Sequence, residues 1–374
     1  MSWFIKDKVI VLISPEPWGE NFVSKHHYAN YLAKNNKVYF LNPADGSAKF
    51  PLSGMDIRTE TIHENLILVS YKNLIPRLNS MPKFIQKSTY RQQIQRLKKS
   101  LNLSKIDLIW SFDPNRYFDL SHWEAEKTIY HTVDFHPKAK FEKDIVLSSD
   151  YFFGVADLIL EEHQTYRKGT MIPHASDLDG FNAKINLQLP GQNKIRAIYT
   201  GNFHQDINYD VLKSLAKDNS DVDFMLIGPT APSNLSSKNT IEKEDFTALK
   251  NLENVFFLGN IPSSHLMSYL ELADINLVLF KKSQEKKHCS PHKLMAYFYS
   301  GNPTLSNYID AHKNSETNLL IMAKNDAEIL EKFHELKTNL KLYKSPELIQ
   351  ERRNFAIENS YHARINEIEK ILNA

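Results

Sequence analysis

The sequence predicts an α/β protein built as two wound domains in tandem, and three observations carry that prediction. Short β-branched and aromatic runs alternate with helical patterns, the same grammar begins again after residue 194, and 374 residues suffice for two domains that each bury a core. The polar stretch NAKINLQLPGQNK, 182–194, lies between the two halves and is the best linker in the chain. No repeat of 20 to 50 residues and no low-complexity segment interrupts the pattern.

In the first half VIVLIS (9–14) reads as a strand, Ser24 to Lys34 as a helix, and KVYFLNP (37–43) and NLILVS (65–70) as strands. A basic helix over 83–101 follows, then strands at IDLIWSFDP (106–114) and KTIYHTVDF (127–135). ADLILEE (156–162) and TMIPHASDLDGF (170–181) close the half. The second half has strands at IRAIYTGN (195–202), VDFMLIGP (222–229), NVFFLGN (254–260), DINLVLF (274–280) and PTLSN (303–307), with helices at NYDVLKSLAKD and SSHLMSYLELA between them. Three of these strands end in a glycine: Gly201, Gly228 and Gly259. In open α/β sheets ligands sit beyond the carboxyl ends of strands, where a residue without a side chain permits close approach. One such glycine can simply turn the chain; three in successive units point to a site.

Composition excludes several classes of function. A hydrophobic fraction of 42%, a charged fraction of 24% and a formal charge of +2 describe a globular protein with no global pull toward nucleic acid. The single cysteine, Cys289, cannot make an intramolecular disulfide, no apolar run approaches the roughly 18 to 20 residues of a membrane span, and the N-terminus reads as a strand. These features lead to the expectation of a cytoplasmic protein. Glycine is sparse, 11 residues against a background of about 7%, and neither a P-loop nor GxGxxG occurs. A phosphate ligand would have to be held by helix ends and cations.

The stretch HCSPHKLMAYFYSGNP, 288–303, has that character. Ser290 suits a helix N-cap and Pro291 the first helical position, while Gly301 and Pro303 end the run. A helix N-terminus already carries about half a positive charge, yet this one gathers His288, His292 and Lys293, with Lys281, Lys282, Lys286 and Lys287 upstream and Glu285 opposing. Such crowding fits a site completed by an anion, such as the phosphate of a ligand. A metal is the other reading of His288, Cys289 and His292, but no further Cys or carboxylate is spaced to complete four ligands.

Several runs resemble a known family. IPHASDLDGF, YTGN, LENVFFLGNIPSSHLMSYLELADINLVLF and SPHKLMAYFYSGNP are similar to segments of the GT-B glycosyltransferases, most closely family 4, in the branch that includes bacterial teichuronic acid and other cell-envelope polysaccharide glycosyltransferases. That branch carries a segment of the form NPxKxxEYLAxGxP, on which Pro291, Lys293, Tyr297, Gly301 and Pro303 fall. RNFAIENSYHARINEIEKIL resembles the closing helices of such enzymes. The resemblance implies two Rossmann-like domains with parallel sheets facing a cleft: an acceptor-binding domain, 1–183, a nucleotide-sugar-binding domain, 184–355, and a C-terminal helix, 356–374, that returns to the first domain. It implies a retaining, metal-independent transferase with no cofactor, whose substrate is a UDP- or GDP-linked sugar. In two respects the chain departs from the pattern: FHQDIN follows YTGN, where many relatives place an Arg or Lys on the diphosphate, and Ala296 stands where the family places a glutamate that holds the ribose hydroxyls. Losing a charge-assisted hydrogen bond of that kind costs on the order of 1.5 to 3 kcal/mol.

The expected donor site is therefore Ser290, His292, Lys293 and Lys281 for the diphosphate, with Gly201, Gly228, Gly259 and Ile261 lining the nucleotide. Two DxD sequences, Asp177 to Asp179 and Asp221 to Asp223, are read as structural, since one precedes the linker and the other starts a strand. In the first domain SPEPWGENFVSKHH and HTVDFHP leave carboxyl ends of strands. Glu16, His26 and His27 are candidates to bind the acceptor, and His131 and Asp134 are candidates to act at the transferring sugar; each is equally readable as a satisfied polar side chain. Relatives let the leaving phosphate accept the acceptor proton, which fits the lack of a paired-carboxylate signature.

Residues 71–105 hold nine Lys or Arg and no Asp or Glu. Tyr90, Ile94, Leu97 and Leu101 form one helical stripe, with Arg91, Arg96, Lys98 and Lys99 around it. One reading is a surface resting on anionic lipid, where a lipid-linked acceptor is presented and the protein is peripheral to the inner face of the membrane. The other is a cationic helix packed on its own domain with solvated charges. No nucleic-acid module is present. Two functional alternatives stand beside the transferase: a catalytically silent glycan-binding or scaffold protein, which Ala296 favours, and a nucleotide-sugar epimerase, which needs paired acid and base residues.

Overall fold

The structure is a computed structural model that describes residues 4–45, 54–181, 185–203, 206–229, 243–281, 290–315 and 318–374. His288, Cys289, Lys282, Glu285, Lys286 and Lys287 lie outside the described residues. By its internal contacts the chain divides into two units: unit 1 is Met1–Pro173 with Arg364–Ala374, and unit 2 is His174–Ala363.

Unit 1 runs β1 (Val9–Ile13), α1 (Ser24–Ala33), β2 (Lys37–Leu41), β3 (Arg58–His63), β4 (Leu66–Ser70), α2 (Lys83–Ser100), β5 (Leu108–Ser111), β6 (Lys127–Thr132), α3 (Glu142–Ser148), β7 (Tyr151–Gly154), α4 (Asp157–Glu161) and β8 (Thr170–Met171). Among the described residues its sheet has the order β3-β4-β2-β1-β5-β6-β7-β8. All pairings are parallel except β3 with β4. β1, β2 and β5 are almost fully buried, as parallel strands covered on both faces must be, and their continuous apolar runs follow from that. β3, RTETIH, is exposed along its whole length and takes the sheet edge, where charged side chains are tolerated and discourage further pairing. Tyr90, Ile94 and Leu97 of α2 enter the core with Ile109, Tyr117 and Trp123, so the apolar stripe of the basic helix serves its own unit. The chain's last residues close on this unit: Ile5 N–H donates to Glu369 Oε2 (2.6 Å), and Lys127 Nζ and Tyr151 Oη donate to the Leu372 carbonyl (3.0 and 3.2 Å).

Unit 2 runs α5 (Leu178–Phe181), β9 (Ile195–Thr200), α6 (Tyr209–Asp218), β10 (Val222–Ile227), α7 (Lys243–Lys250), β11 (Val255–Gly259), α8 (Leu266–Glu271), β12 (Ile275–Val278), α9 (Lys293–Ser300), β13 (Thr304–Asn307), β14 (Ile321–Ala323), α10 (Asp326–Thr338), α11 (Leu340–Tyr343), α12 (Pro346–Glu358) and the first residues of α13 (Tyr361–Leu372). Its described sheet is parallel, in the order β11-β10-β9-β12-β13-β14. Alternate residues of β9 serve opposite faces. Ala197 and Tyr199 pack in one cluster with Leu212 of α6 and Phe333 of α10, while Ile198 packs in the other with Leu270 of α8 and Leu294 and Phe298 of α9.

α9 starts later than the sequence suggests. His292 occupies the N-cap with helical dihedrals and no side-chain cap, and Leu294 N–H reaches back to the Pro291 carbonyl (3.1 Å) in a tight first turn. Ser290 therefore precedes the helix without capping it. The other end is as expected: Gly301 adopts φ +81°. Two arginines of α12 answer the carboxyl end of α9. Arg352, fully buried, donates to the carbonyls of Gly301 (2.9 Å), Tyr343 (2.8 Å) and Asn318 (2.8 Å), and Arg353 Nε donates to that of Tyr299 (3.2 Å).

Candidate functional site

Both sheets have a topological switch point, where strand order turns from one direction to the other and a crevice forms at the carboxyl ends. In unit 2 the switch lies between β9 and β12. Lys293, the first residue of α9, sends its ammonium there: Nζ is 4.1 Å from the ring centroid of Tyr199 on β9 and 5.6 Å from that of Phe280 after β12. The aromatic faces hold a cation without neutralising it.

Glycines end the strands beside that ammonium. Gly201, Gly228 and Gly259 follow one another on β9, β10 and β11, tied by Gly201 N–H to the Ile227 carbonyl (2.9 Å) and Gly228 N–H to the Gly259 carbonyl (2.8 Å). A Cβ on Gly201 (φ +131°) would stand 2.9 Å from Lys293 Nζ. One on Gly228 (φ +149°) would stand 2.0 Å from the Gly201 carbonyl oxygen. At Gly201 the lysine end could shift but the positive φ strains any side chain, and at Gly228 a Cβ would strike backbone as well, so both positions favour glycine.

Tyr297, one turn along α9, fixes the end of β9. Its buried hydroxyl accepts from Thr200 N–H (2.8 Å) and Thr200 Oγ1 (3.1 Å) and donates to the Leu277 carbonyl (3.3 Å), spanning the switch point from below. Burial pushes this phenol up, so it stays protonated. Ala296 is 7% exposed and packs among Leu294, Met295 and Tyr297. His292 is held by a hydrogen bond between Nε2 and Tyr361 Oη (2.8 Å) and packs edge-on against His174 at 5.3 Å. Ser290 is half-buried, and Lys281 is exposed just past Phe280 with its N–H on the Asp206 carbonyl (2.7 Å). Ile261 is half-buried two residues beyond Gly259. The structure thus brings Lys293 together with Gly201 and Gly228, while His292 is engaged as a strut. Both DxD sequences are tied into the fold where a contact is resolved: Asp223 accepts from Asn193 N–H and Nδ2 (both 2.9 Å), Asp221 pairs with Lys337 (2.9 Å), and Asp177 Oδ1 accepts from Gly180 N–H (3.2 Å).

In unit 1 the switch lies between β1 and β5, and a side chain fills it. Arg116, 5% exposed, donates to Asp113, to the Asn42 carbonyl (2.9 Å), to Tyr71 Oη (2.6 Å) and to the Ser14 carbonyl. Beside it Glu16 pairs with Lys25 (2.7 Å), whose side chain is only 3% exposed. His26 is fully buried; Nδ1 accepts from Val23 N–H (3.1 Å), so Nε2 carries the proton toward the Pro17 carbonyl (3.2 Å). Burial holds its pKa down at about 3, and the neutral ring stacks on Phe22 and Phe40. His27 is 5% exposed and meets Phe22 edge-on. His131 is fully enclosed, stacked with Phe112 (5.2 Å) and Trp110 (6.1 Å) and edge-on to Phe153. Asp134 is exposed at the start of the loop.

Sequence reasoning missed Lys25 and His136. Burial lowers the pKa of His136 while Asp134 raises it, Lys25 and Glu16 are the next charges to act on it, and its buried Nε2 makes no hydrogen bond among the described residues. Its signal was present in HTVDFHP, two residues past Asp134. Among the described residues no group of three or more His, Cys, Asp or Glu is arranged to hold a metal ion, and no helix is long and apolar enough to cross a membrane.

No protein-family model matches the chain, and no curated protein matches it in sequence. Solved structures do match. Sucrose-phosphate synthase from Thermosynechococcus elongatus is 14% identical with a TM-score of 0.68, covering 98% of each chain. An α,α-trehalose-phosphate synthase (UDP-forming) from Burkholderia vietnamiensis is 10% identical with a TM-score of 0.66, covering 98% of this chain and 99% of that one. A glycosyltransferase from Rickettsia africae is 14% identical with a TM-score of 0.66, covering 98% of each chain. The fold is that of the GT-B glycosyltransferases, end to end.

Proposed function

We propose that this chain is a glycosyltransferase that takes a sugar from a nucleotide-sugar donor. The observation that carries the reading is Lys293 Nζ at the switch point of unit 2, in front of strand ends kept bare by Gly201 and Gly228. A diphosphate placed there meets the ammonium and the amino end of α9, and both stabilise the charge that grows on the leaving group as the bond from the anomeric carbon to phosphate oxygen breaks. The new bond forms from the acceptor oxygen to the same carbon, and its proton passes to the departing phosphate, the retaining course that the sequence resemblance to family 4 implies. Gly259 and Ile261 border the nucleoside and Lys281 flanks the phosphates. In unit 1, Asp134 and His136, beside the Glu16–Lys25 pair, are the candidate groups for an acceptor. UDP-sugars come first as donors, because a trehalose-phosphate synthase of the same fold is described as UDP-forming; GDP-sugars come second. The resemblance to envelope polysaccharide enzymes makes a surface glycan or lipid-linked glycan the acceptor class.

The test is incubation with UDP- and GDP-sugars, with and without a lipid-linked acceptor, reading nucleotide release and the glycan product. Acceptor-stimulated release of one nucleotide supports the reading. Release stimulated only by a soluble sugar phosphate replaces the acceptor class. No release from any donor sinks the enzyme. Ala296 favours a second reading, a silent glycan-binding or scaffold protein, because its apolar methyl offers the ribose no hydrogen bond. That reading predicts no nucleotide binding at all.

A further inference from the structure

Two ionisable side chains buried in unit 1 take no part in the chemistry proposed above. Glu142, the first residue of α3, is 6% exposed, and His163, just past α4, is 7% exposed. Tyr130 Oη, from β6, donates to Glu142 Oε1 (2.6 Å), and His163 Nε2 lies 3.8 Å from the same oxygen. The other ring nitrogen of His163, Nδ1, is hydrogen-bonded with the Tyr166 hydroxyl. With that hydroxyl donating to Nδ1, Nε2 carries the proton and presents it to the carboxylate. Phe152 meets His163 edge-on at 5.2 Å and stacks with Tyr130 at 5.9 Å. Burial raises the pKa of Glu142 and lowers that of His163, so each charge is costly there on its own. Apolar side chains of similar volume fill such a space at least as stably, and the pair is better explained by an arrangement it selects than by bulk stability.

What the pair holds is the start of α3, and with it one end of the loop 133–141 that carries Asp134 and His136. The other end is held at β6, where Thr132 Oγ1 donates to the Asp134 carbonyl (2.9 Å). Between those ends the backbone turns through Ala139 N–H to the His136 carbonyl (3.0 Å), and Lys138 and Lys140 stand exposed. Near the base of the loop Phe141 packs on Phe118 (4.6 Å), and Asp144 pairs with Lys83 (2.7 Å) at the surface, where an ion pair contributes little. Glu142 is the buried charge at that base, and its two donors come from β6 and from the segment after α4.

We propose that Glu142 and His163 are positioning residues: the pair fixes the base of loop 133–141 to the sheet and so sets where Asp134 and His136 stand. Its bearing on an acceptor rests on the transferase reading, whereas its hold on the loop does not. The experiment is limited trypsin digestion of the full chain, following cleavage after Lys138 and Lys140 against cleavage elsewhere in unit 1, with nucleotide titration of the same samples. His163→Phe keeps a ring and removes the N–H, while His163→Gln restores an N–H near the position of Nε2. The account expects cleavage at Lys138 and Lys140 to be about tenfold faster in His163→Phe and within about threefold of the parent in His163→Gln, with nucleotide affinity unchanged in both. Glu142→Gln, which keeps an acceptor for Tyr130 and loses the charge, is a second variant should His163→Phe fail to fold, and is expected to speed the same two sites. Rates equal to the parent in both His163→Phe and Glu142→Gln overturn the proposal. So does an equal acceleration at every site of unit 1, which is global loss of stability, or a His163→Gln variant cleaved as fast as His163→Phe, which is loss of packing alone. A parent chain that binds no nucleotide counts against the transferase and leaves the loop measurement to decide the role of the pair.

Discussion

The two switch points answer one architectural problem in opposite ways. In unit 2 Lys293 lies over Tyr199 at the crevice between β9 and β12, and the neighbouring strand ends carry Gly201 and Gly228, both at a positive φ that side chains rarely adopt. In unit 1 the crevice between β1 and β5 is plugged by Arg116, which spends its donors on Ser14, Asn42, Tyr71 and Asp113. A phosphate needs close approach of backbone and a cation, and unit 2 brings Lys293 to glycine-ended strands. The guanidinium of unit 1 holds strand ends together.

Breaking each arrangement should therefore have different consequences. Arg116→Ala leaves Asp113 buried and uncompensated, and is expected to destabilise unit 1 by about 3 to 5 kcal/mol in denaturant unfolding. Nucleotide binding by whatever remains folded should be unchanged; a matching loss of binding would place phosphate in unit 1. Gly228→Ala drives a methyl into the Gly201 carbonyl at a positive φ, so a cost of about 1 to 3 kcal/mol is expected with loss of nucleotide binding. Retained affinity would show that the strand ends do not line the nucleotide. Tyr297→Phe removes the acceptor of Thr200 N–H and should cost about 1 to 3 kcal/mol, with weakened binding as the end of β9 loosens. Calorimetric unfolding and titration on one sample separate the two effects.

A further difference, small near neutral pH, is in pH dependence. Burial holds folded His26 at about 3 against 6.5 for the ordinary side chain, so the unfolded state binds more protons between those values. Its contribution is complete above pH 6.5 and is lost as pH falls toward about 3, with a slope of up to about 1.4 kcal/mol per pH unit. His26→Gln should flatten the acid limb of the melting profile; an unaltered limb would mean that the ring is protonated in the fold.

Legibility in the sequence followed the range of the physics. β1, β2, β5 and β10 could be read because burial on both faces demands continuous apolar runs, a local signal. β3 could not, since RTETIH has no apolar face and is a strand only through its pairing with β4. β14, three residues long, was equally hidden. At the site, Gly201, Gly228 and Lys293 could be singled out because glycine after a strand and a cation at a helix start are features of a few adjacent residues. The plug at Arg116 was invisible: its partners come from positions 14 to 113 and meet only in the folded sheet. His26 and His131 look like chemistry in a loop and at a strand end, yet aromatic neighbours distant in sequence enclose them.

The measurement closest to the central claim is calorimetric titration of the chain and of Lys293→Ala with UDP, GDP, ADP and CMP. The account predicts that one nucleoside diphosphate binds the parent chain and that the variant loses at least tenfold in affinity, with CMP, which lacks the second phosphate, little affected. Equal affinity in both proteins would contradict it, because the diphosphate would then lie away from the switch point of unit 2.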